Sequence, residues 1–212
     1  MNFELAYVFT IFMLTLGPIK VIPAFAALLG DATPAQVRTV AIRGTAWASG
    51  IALLIAFGVT RVQESWQVSL DAIRIAGGIL LFMSAAATIG QVTRPQASPG
   101  APAPSTLDTT ALRRVAVMPV AIPIIITPWG VVAILLFMRL AEREPAGVAS
   151  VVGTLLLVMM LNLVGMLFAR WIMKSVGFAT FQLLGWIFGI MQCGLAVQVV
   201  LISLRNLGIV PG

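Results

Sequence analysis

The stretch Gly17-Pro18-Ile19-Lys20 interrupts the first long apolar segment of the chain, residues 5–29. A second interruption, Thr127-Pro128-Trp129-Gly130, lies within apolar residues 115–138. Proline lacks an amide hydrogen and clashes with the preceding turn, so it breaks or kinks a helix, although it is well tolerated at the first helical position. Apolar helices that are broken at matching places in two halves of a chain are typical of transporters, and the breaks mark the binding site.

The composition indicates a membrane protein. Of the 212 residues, 60% are hydrophobic and only 9% are charged, whereas a soluble domain carries about 25% charged residues. The net charge of +6 comes from 13 Lys and Arg against 7 Asp and Glu. These basic residues are scattered singly or in pairs between apolar segments and form no basic stripe, so we expect a lipid bilayer and not nucleic acid as the partner.

Residues that carry catalysis or bind metals are almost absent from the sequence. There is no His, and the single Cys, Cys193, lies in an apolar segment, which excludes a disulfide framework, a His/Cys metal site and a Cys-His nucleophile. No Asp or Glu lies deep in an apolar segment, and no Walker A motif is present. We therefore expect no metal, no cofactor and no enzymatic activity.

The apolar segments predict an all-α membrane protein with six transmembrane helices. Each segment is close to the ~20 residues that a bilayer requires, and the segments are residues 5–29, 41–60, 70–90, 114–138, 148–168 and 178–203. Residues 91–112 are rich in Pro, Ala, Ser and Thr and predict a flexible linker. The linker separates a first repeat, residues 1–90, from a second repeat, residues 113–212.

Three local matches between the halves indicate an internal repeat. Pro18 aligns with Pro128, Gly44-Thr45 with Gly153-Thr154, and the stretch ending at Gly77 with the stretch ending at Gly185. Each repeat has three helices, an odd number, so the second must enter the membrane from the opposite side. The prediction is an inverted-topology pair related by a pseudo-two-fold axis in the membrane plane.

The loop charges predict the orientation. Basic residues are more numerous in cytoplasmic loops, which places both termini on the outer side. The inner loops then hold Arg38, Arg43, Arg94, Arg113, Arg114, Arg170 and Lys174, and the outer side holds Arg61, Arg139, Arg143 and Arg205, with Arg74 close to it.

The two breaks supply the candidate binding residues Gly17, Pro18, Thr127, Pro128 and Gly130. Gly17 and Thr127 are each predicted to be the N-cap of a half-helix that begins with proline. A half-helix start in mid-bilayer presents free N–H groups and a positive dipole end, which bind a carboxylate without a cationic side chain. The alternative is a pair of proline kinks stabilised by neighbouring helices.

Lys20 lies about 13 Å from the nearer end of its helix, at 1.5 Å per residue. Ionisable residues inside a membrane usually face the protein interior and mark a pathway or a site. Two roles remain open for Lys20: a cation that faces the substrate, or a structural donor to the carbonyls freed by Pro18 and Pro23.

Other polar residues are weaker candidates. Asp71 and Arg74 are spaced as an i,i+3 ion pair and are either a membrane-edge anchor or a gate. Asn162 and Gln192 lie in the middle of apolar segments and predict interhelical hydrogen bonds, and of the two Asn162 is the stronger candidate to line a substrate pathway. Gly185 and Gly189 of the last segment are spaced as a small-xxx-small face and favour close packing, either within the bundle or in a homo-oligomer.

Four stretches make the chain resemble the MarC family of bacterial inner-membrane proteins, which is grouped with small neutral amino acid transporters. They are Gly17-Pro18-Ile19-Lys20-Val21-Ile22-Pro23, the stretch Ser69 to Gly78 with sequence SLDAIRIAGG, Val120-Ala121-Ile122-Pro123 leading to Thr127-Pro128-Trp129-Gly130, and Ala196-Val197-Gln198. The resemblance implies a six-helix inner-membrane protein with a periplasmic N-terminus. Some relatives are thought to carry glycine, alanine and similar amino acids.

The sequence departs from the family pattern at both breaks. The family typically has Asn-Pro-x-Gly in the first helix, where this chain has Gly17-Pro18-Ile19-Lys20. In the second repeat the family has Gly-Pro-Gly, where this chain has Thr127-Pro128-Trp129. Because Lys20 adds a cation where a small residue is expected, a more acidic substrate is one hypothesis.

The sequence therefore predicts a secondary transporter or exporter of a small amino acid or related carboxylate. The substrate is expected near the membrane midplane between the two broken helices. The alternatives are a passive export channel and a non-transporting membrane scaffold.

Overall fold

The computed structural model describes residues 5–30, 32–59, 65, 67–93, 109–142 and 144–211. Regular structure in this part of the chain is helical, without a strand. The helices are α1 (Leu5–Leu16), α2 (Pro18–Leu28), α3 (Pro34–Leu54), α4 (Leu70–Thr93), α5 (Thr109–Val115), α6 (Pro128–Ala141), α7 (Gly147–Leu167), α8 (Ala169–Val176) and α9 (Phe178–Asn206). Two π-helical segments, Ile55–Val59 and Ala116–Ile125, continue α3 and α5, and the second is kinked by extended backbone at Met118 (φ −127°, ψ 122°) and Ile122 (φ −132°, ψ 125°).

The prediction of an all-α membrane protein is confirmed. Among the described residues, four helical stretches are long and apolar enough to cross a membrane: Leu5–Leu28, Pro34–Gly58, Gly147–Leu167 and Ala179–Asn206. The pair Leu112–Ile125 and Pro128–Ala141 would add a fifth span, bent by 65° at its break. Helix α4 has 24 residues and corresponds to the third predicted segment. A total of six membrane crossings stays a prediction.

Helix α3 begins at Pro34, seven residues before the predicted start at residue 41. The cause is a capping box: the Gln36 amide donates to the Thr33 hydroxyl at 3.3 Å, and the Thr33 amide donates to the Gln36 side chain at 2.8 Å. These polar contacts start the helix before the apolar stretch begins, so hydropathy alone placed this boundary wrongly.

The ends of the predicted linker, residues 91–112, are partly helical. Helix α4 runs to Thr93 and α5 begins at Thr109. The proline-rich residues 94–108 lie outside the described residues.

The core has two parts. Helices α1 and α2 of the first predicted segment pack against α7 of the fifth, and α3 of the second predicted segment packs against the fourth. Helix α7 packs against α1, α2 and α3, and the π-helical segment after α5 packs against α3. Helices α4 and α9 form the most extensive pair; α4 also packs on α6, and α9 on α2. The relation of the two halves as inverted repeats stays a prediction.

Two glycines of α4 allow its close packing. A Cβ atom added at Gly77 would lie 2.6 Å from Cζ3 of Trp129, and one added at Gly78 would lie 2.9 Å from the carbonyl oxygen of Ala196. Nothing lies within 4 Å of a Cβ added at Gly194 on α9. The small residues therefore set the distance between α4 and its neighbours.

We predict that Gly78→Ala lowers the thermal stability of the detergent-solubilised protein, because the methyl group meets backbone that cannot move freely; the cost is about 1–3 kcal/mol. Gly194→Ala is the matched control and should be neutral or slightly stabilising, since alanine favours a helix over glycine. Equal melting temperatures for the two variants would contradict the close contact of α4 with α9.

Candidate functional site

The predicted break in the first span is present at Gly17. Helix α1 ends at Leu16, α2 begins at Pro18, and Gly17 between them is extended, with φ −80° and ψ 171°. The 12 residues of α1 and the 11 of α2 have lengths of about 18 and 16 Å at 1.5 Å per residue. The break therefore lies near the middle of the span.

The break leaves backbone carbonyls at the end of α1 without helical partners. In a continuous helix the carbonyls of Leu14, Thr15 and Leu16 would accept from the amides four residues later. Pro18 has no amide hydrogen, and the extended Gly17 interrupts the remaining pattern. An unsatisfied carbonyl in a hydrocarbon environment costs several kcal/mol, so each of these groups requires another donor.

Three side chains from the second half of the chain donate to these carbonyls. Gln192 Nε2 donates to Leu14 O at 2.6 Å, Thr127 Oγ1 to Thr15 O at 3.2 Å, and Asn162 Nδ2 to Leu16 O at 2.7 Å. Gln192 lies on α9, Asn162 on α7, and Thr127 immediately before α6. The end of α1 is therefore capped by three separate elements of the other half.

The second break faces the first. Thr127 is the N-cap of α6, and its hydroxyl accepts from the Gly130 amide at 3.1 Å while it donates to Thr15 O. A Cβ atom added at Gly130 would lie only 2.1 Å from Cδ2 of Leu16. Gly130 thus permits the start of α6 to approach the end of α1, and Thr127 joins the two breaks.

The two half-helix starts differ in one respect. Both have proline at the first helical position, as predicted. Thr127 caps α6 with its side chain, whereas Gly17 provides no side-chain cap for α2. The first-turn amides of a helix have no partner within the helix, so the start of α2 offers uncapped donors and a positive dipole end.

Asn162 is fully buried and has one unused hydrogen-bonding atom. Its Nδ2 must face the Leu16 carbonyl, which is an acceptor, so Oδ1 faces away from that carbonyl and has no hydrogen-bond partner among the described residues. Gly165, one turn further along α7, lies against Pro18: an added Cβ would be 3.2 Å from Pro18 Cβ. The side of α7 that carries Asn162 therefore packs at the break.

Lys20 is half-buried in the first turn of α2. No described residue accepts a hydrogen bond from it or pairs with it, and the carbonyls freed at Pro18 have the three donors described above. The structural-donor role therefore finds no supporting contact. Helical spacing places Lys20 on the face of α2 that carries the exposed Ala24 and Ala27.

Asp71 and Arg74 lie away from the breaks, at the start of α4. The predicted ion pair is present at 3.0 Å, and Asn206 at the end of α9 donates to Asp71 Oδ1 at 3.0 Å. Arg74 also lines a small, mainly apolar recess with Tyr7 of α1 and residues of α6 and α9. These contacts tie four helices together at one end of the bundle, and a gating role for the pair stays a prediction.

Most of the residues predicted to bind substrate lie together at the facing breaks, whereas their role in binding stays a prediction. Gly17, Pro18, Thr127, Gly130 and Asn162 all lie at the facing breaks. Pro128 starts α6 there. Gln192 was expected to make an interhelical hydrogen bond but was not assigned to the site; its signal was an amide in the middle of a 29-residue apolar helix.

The family model for MarC family integral membrane proteins matches residues 2–207 of the chain. The chain belongs to the MarC family. No curated protein and no solved structure matches it significantly.

In this MarC-family protein, the break requires glycine at position 17, because a Cβ atom there would lie 2.1 Å from the Met13 carbonyl oxygen.

We predict that Thr127→Val destabilises the detergent-solubilised MarC-family protein by about 1–2 kcal/mol, because the Gly130 amide and the Thr15 carbonyl both lose a partner. Thr10→Val is the matched control, since the exposed Thr10 hydroxyl only donates to Ala6 O one turn back in its own helix. The measurement is thermal unfolding, in which each kcal/mol lost from the free energy of unfolding lowers the melting temperature of a protein of this size by roughly 2–4 °C. A Thr127 variant as stable as the Thr10 variant would show that the hydroxyl bridge contributes little.

Proposed function

We propose that this protein is a secondary transporter or exporter of a small amino acid or related carboxylate, bound between the two facing breaks. In this proposal six helices form two inverted repeats in a bacterial inner membrane, with both termini periplasmic and no catalytic step. The observation that carries it is the uncapped start of α2, facing the break before α6, within a family of integral membrane proteins.

The start of α2 favours a carboxylate. Its first-turn amides point out of the helix start, Gly17 provides no competing side chain, and the helix dipole is positive at this end. Helix starts of this kind bind anions in soluble proteins and substrate carboxylates in transporters. The capped start of α6 is the weaker candidate, because Thr127 already accepts from the Gly130 amide.

The buried Asn162 favours an amino acid over a plain carboxylate. Its Nδ2 is committed to Leu16 O, the residue directly before Gly17, and its Oδ1 has no partner among the described residues. A free amide oxygen accepts from a cation such as an α-ammonium group. A zwitterion that spans from the α2 start to Asn162 would satisfy both groups.

Lys20 adds positive charge two residues after the break. It has no acidic partner in the described part of the chain, so its field is not neutralised locally, and in a medium of low dielectric constant this favours an anion near the α2 start. We propose that Lys20 increases the affinity for the carboxylate and for an acidic side chain through this field.

We propose that transport occurs by movement of one repeat against the other around the facing breaks. The hydrogen bonds from Thr127, Asn162 and Gln192 to the end of α1 all join the two halves. They are the contacts that such a movement would have to keep or exchange.

A ligand panel tests the proposed site. We predict that at least one class among neutral, acidic and basic amino acids raises the melting temperature saturably, because it binds only the folded protein. In Lys20→Ala the midpoint should move at least tenfold to higher concentration. Lys174→Ala, which removes the other lysine of the chain at an exposed position on α8, is the control and should leave the midpoint unchanged.

An equal midpoint in the Lys20 and Lys174 variants would assign Lys20 a role outside binding. Absence of any saturable shift across the panel would contradict the amino acid site.

Reconstitution into liposomes separates the transport mechanisms. We predict that the ligand found in the panel accumulates above its external concentration when an ion gradient is imposed. Simple equilibration across the membrane would instead indicate a passive channel, and no uptake beyond that of empty liposomes would indicate a scaffold.

A further inference from the structure

Helix α8 connects two membrane spans, and its inner and outer faces carry different kinds of side chain. The spans Gly147–Leu167 and Ala179–Asn206 flank it, so α8 (Ala169–Val176) lies outside both. On its inner face Ala169 is buried and Ile172 and Met173 pack against the core. The α8 connection is thus a helix held on the bundle and not an extended loop.

Arg170 fixes α8 to the end of the first span. Its Nη2 group donates to Leu29 O at 2.7 Å and to Gly30 O at 2.9 Å, and it also contacts the Ala32 carbonyl. The last carbonyls of a helix lack partners within the helix. The Arg170 guanidinium is a donor to the carbonyls of Leu29, Gly30 and Ala32, which follow α2. The position and rotation of α8 are therefore set by protein contacts.

The outer face of α8 combines aromatic and basic side chains. Trp171 is 69% exposed and Phe168, directly before the helix, is 56% exposed. Lys174 and Ser175 are also exposed and share this face by helical spacing. Exposed Trp next to Lys is typical of a helix that lies in the headgroup region of a membrane.

The surrounding charge favours an anionic membrane surface. Arg38, Arg113 and Arg114 are exposed. Arg170 holds α8 beside Ala32, just before the start of α3. Helix α5 packs on α3, and the following α6 packs on the C-terminal extension of α3, so α5 lies toward the start of α3 and thus at the same end as α8.

The acidic residues in the described part are Asp71 at the start of α4 and Glu142 and Glu144 after α6. They belong to the opposite end of the bundle, where Arg74 of α4 and Leu140 of α6 share a recess with Tyr7 of α1. Asp31 and Asp108 belong by sequence to the basic end but lie outside the described residues.

We propose that the outer face of α8, with Lys174 and Trp171, binds the headgroups of anionic phospholipids in the leaflet at this end of the bundle. The Lys174 ammonium pairs with the phosphate, Trp171 lies at the boundary between headgroups and acyl chains, and the neighbouring arginines add attraction. Arg170 serves a separate purpose, because its guanidinium is committed to the carbonyls after α2.

The test is thermal stability in detergent titrated with phosphatidylglycerol or phosphatidylcholine. We expect a saturable rise with phosphatidylglycerol and less than half that rise with phosphatidylcholine. In Lys174→Gln the midpoint for phosphatidylglycerol should move about fivefold higher, as expected for loss of one basic contact. Trp171→Ala should reduce the rise with both lipids.

The matched control is Arg205→Gln, which removes an exposed basic residue at the opposite end of the bundle and should leave the titration unchanged. Glycerol phosphate, which has the phosphate without acyl chains, should give no rise; an equal rise would assign the site to free phosphate. Equal titrations for the Lys174 and Arg205 variants, or equal rises with both lipids, would overturn the proposal. Neither result depends on amino acid binding.

Discussion

The carbonyl oxygens of Leu14, Thr15 and Leu16 impose the constraint on which the rest of the structure depends. A helix that is broken in the middle of a membrane span must satisfy these groups without water. The chain does so with Gln192, Thr127 and Asn162, one side chain for each carbonyl and each from a different element of the second half. The carbonyls exposed by the break at Gly17 are consequently satisfied only when the two halves are packed against each other.

This arrangement makes the two ends of the break unequal. The carbonyl end of α1 is fully occupied by donors, whereas the amide end of α2 receives no side-chain cap. The second break differs again, because Thr127 uses its hydroxyl both to cap α6 and to reach Thr15. A pair of prolines that looks symmetrical in the sequence thus produces one capped and one uncapped helix start, and the uncapped start is the one suited to an anion.

The sequence predicts the positions of the breaks because proline acts locally: Pro18 and Pro128 begin half-helices wherever the rest of the chain lies. It also identifies Asn162, since a buried amide in an apolar helix must find a partner. It cannot pair Asn162 with Leu16, Gln192 with Leu14 or Arg170 with the end of α2, because those partners are backbone atoms more than 130 residues away and carry no sequence signal. The early start of α3 was missed for a different reason, namely that a polar capping box and not hydropathy sets it.

The most direct test of a carboxylate site at the α2 start is calorimetric titration of the protein in lipid nanodiscs with amino acids and their carboxamides. Conversion to the amide keeps size and the ammonium group but removes the anion that the free amides and the dipole of α2 would bind. We predict that an amino acid which binds loses at least tenfold in affinity as its carboxamide. Equal affinity of the acid and the amide would rule out a carboxylate site at the α2 start.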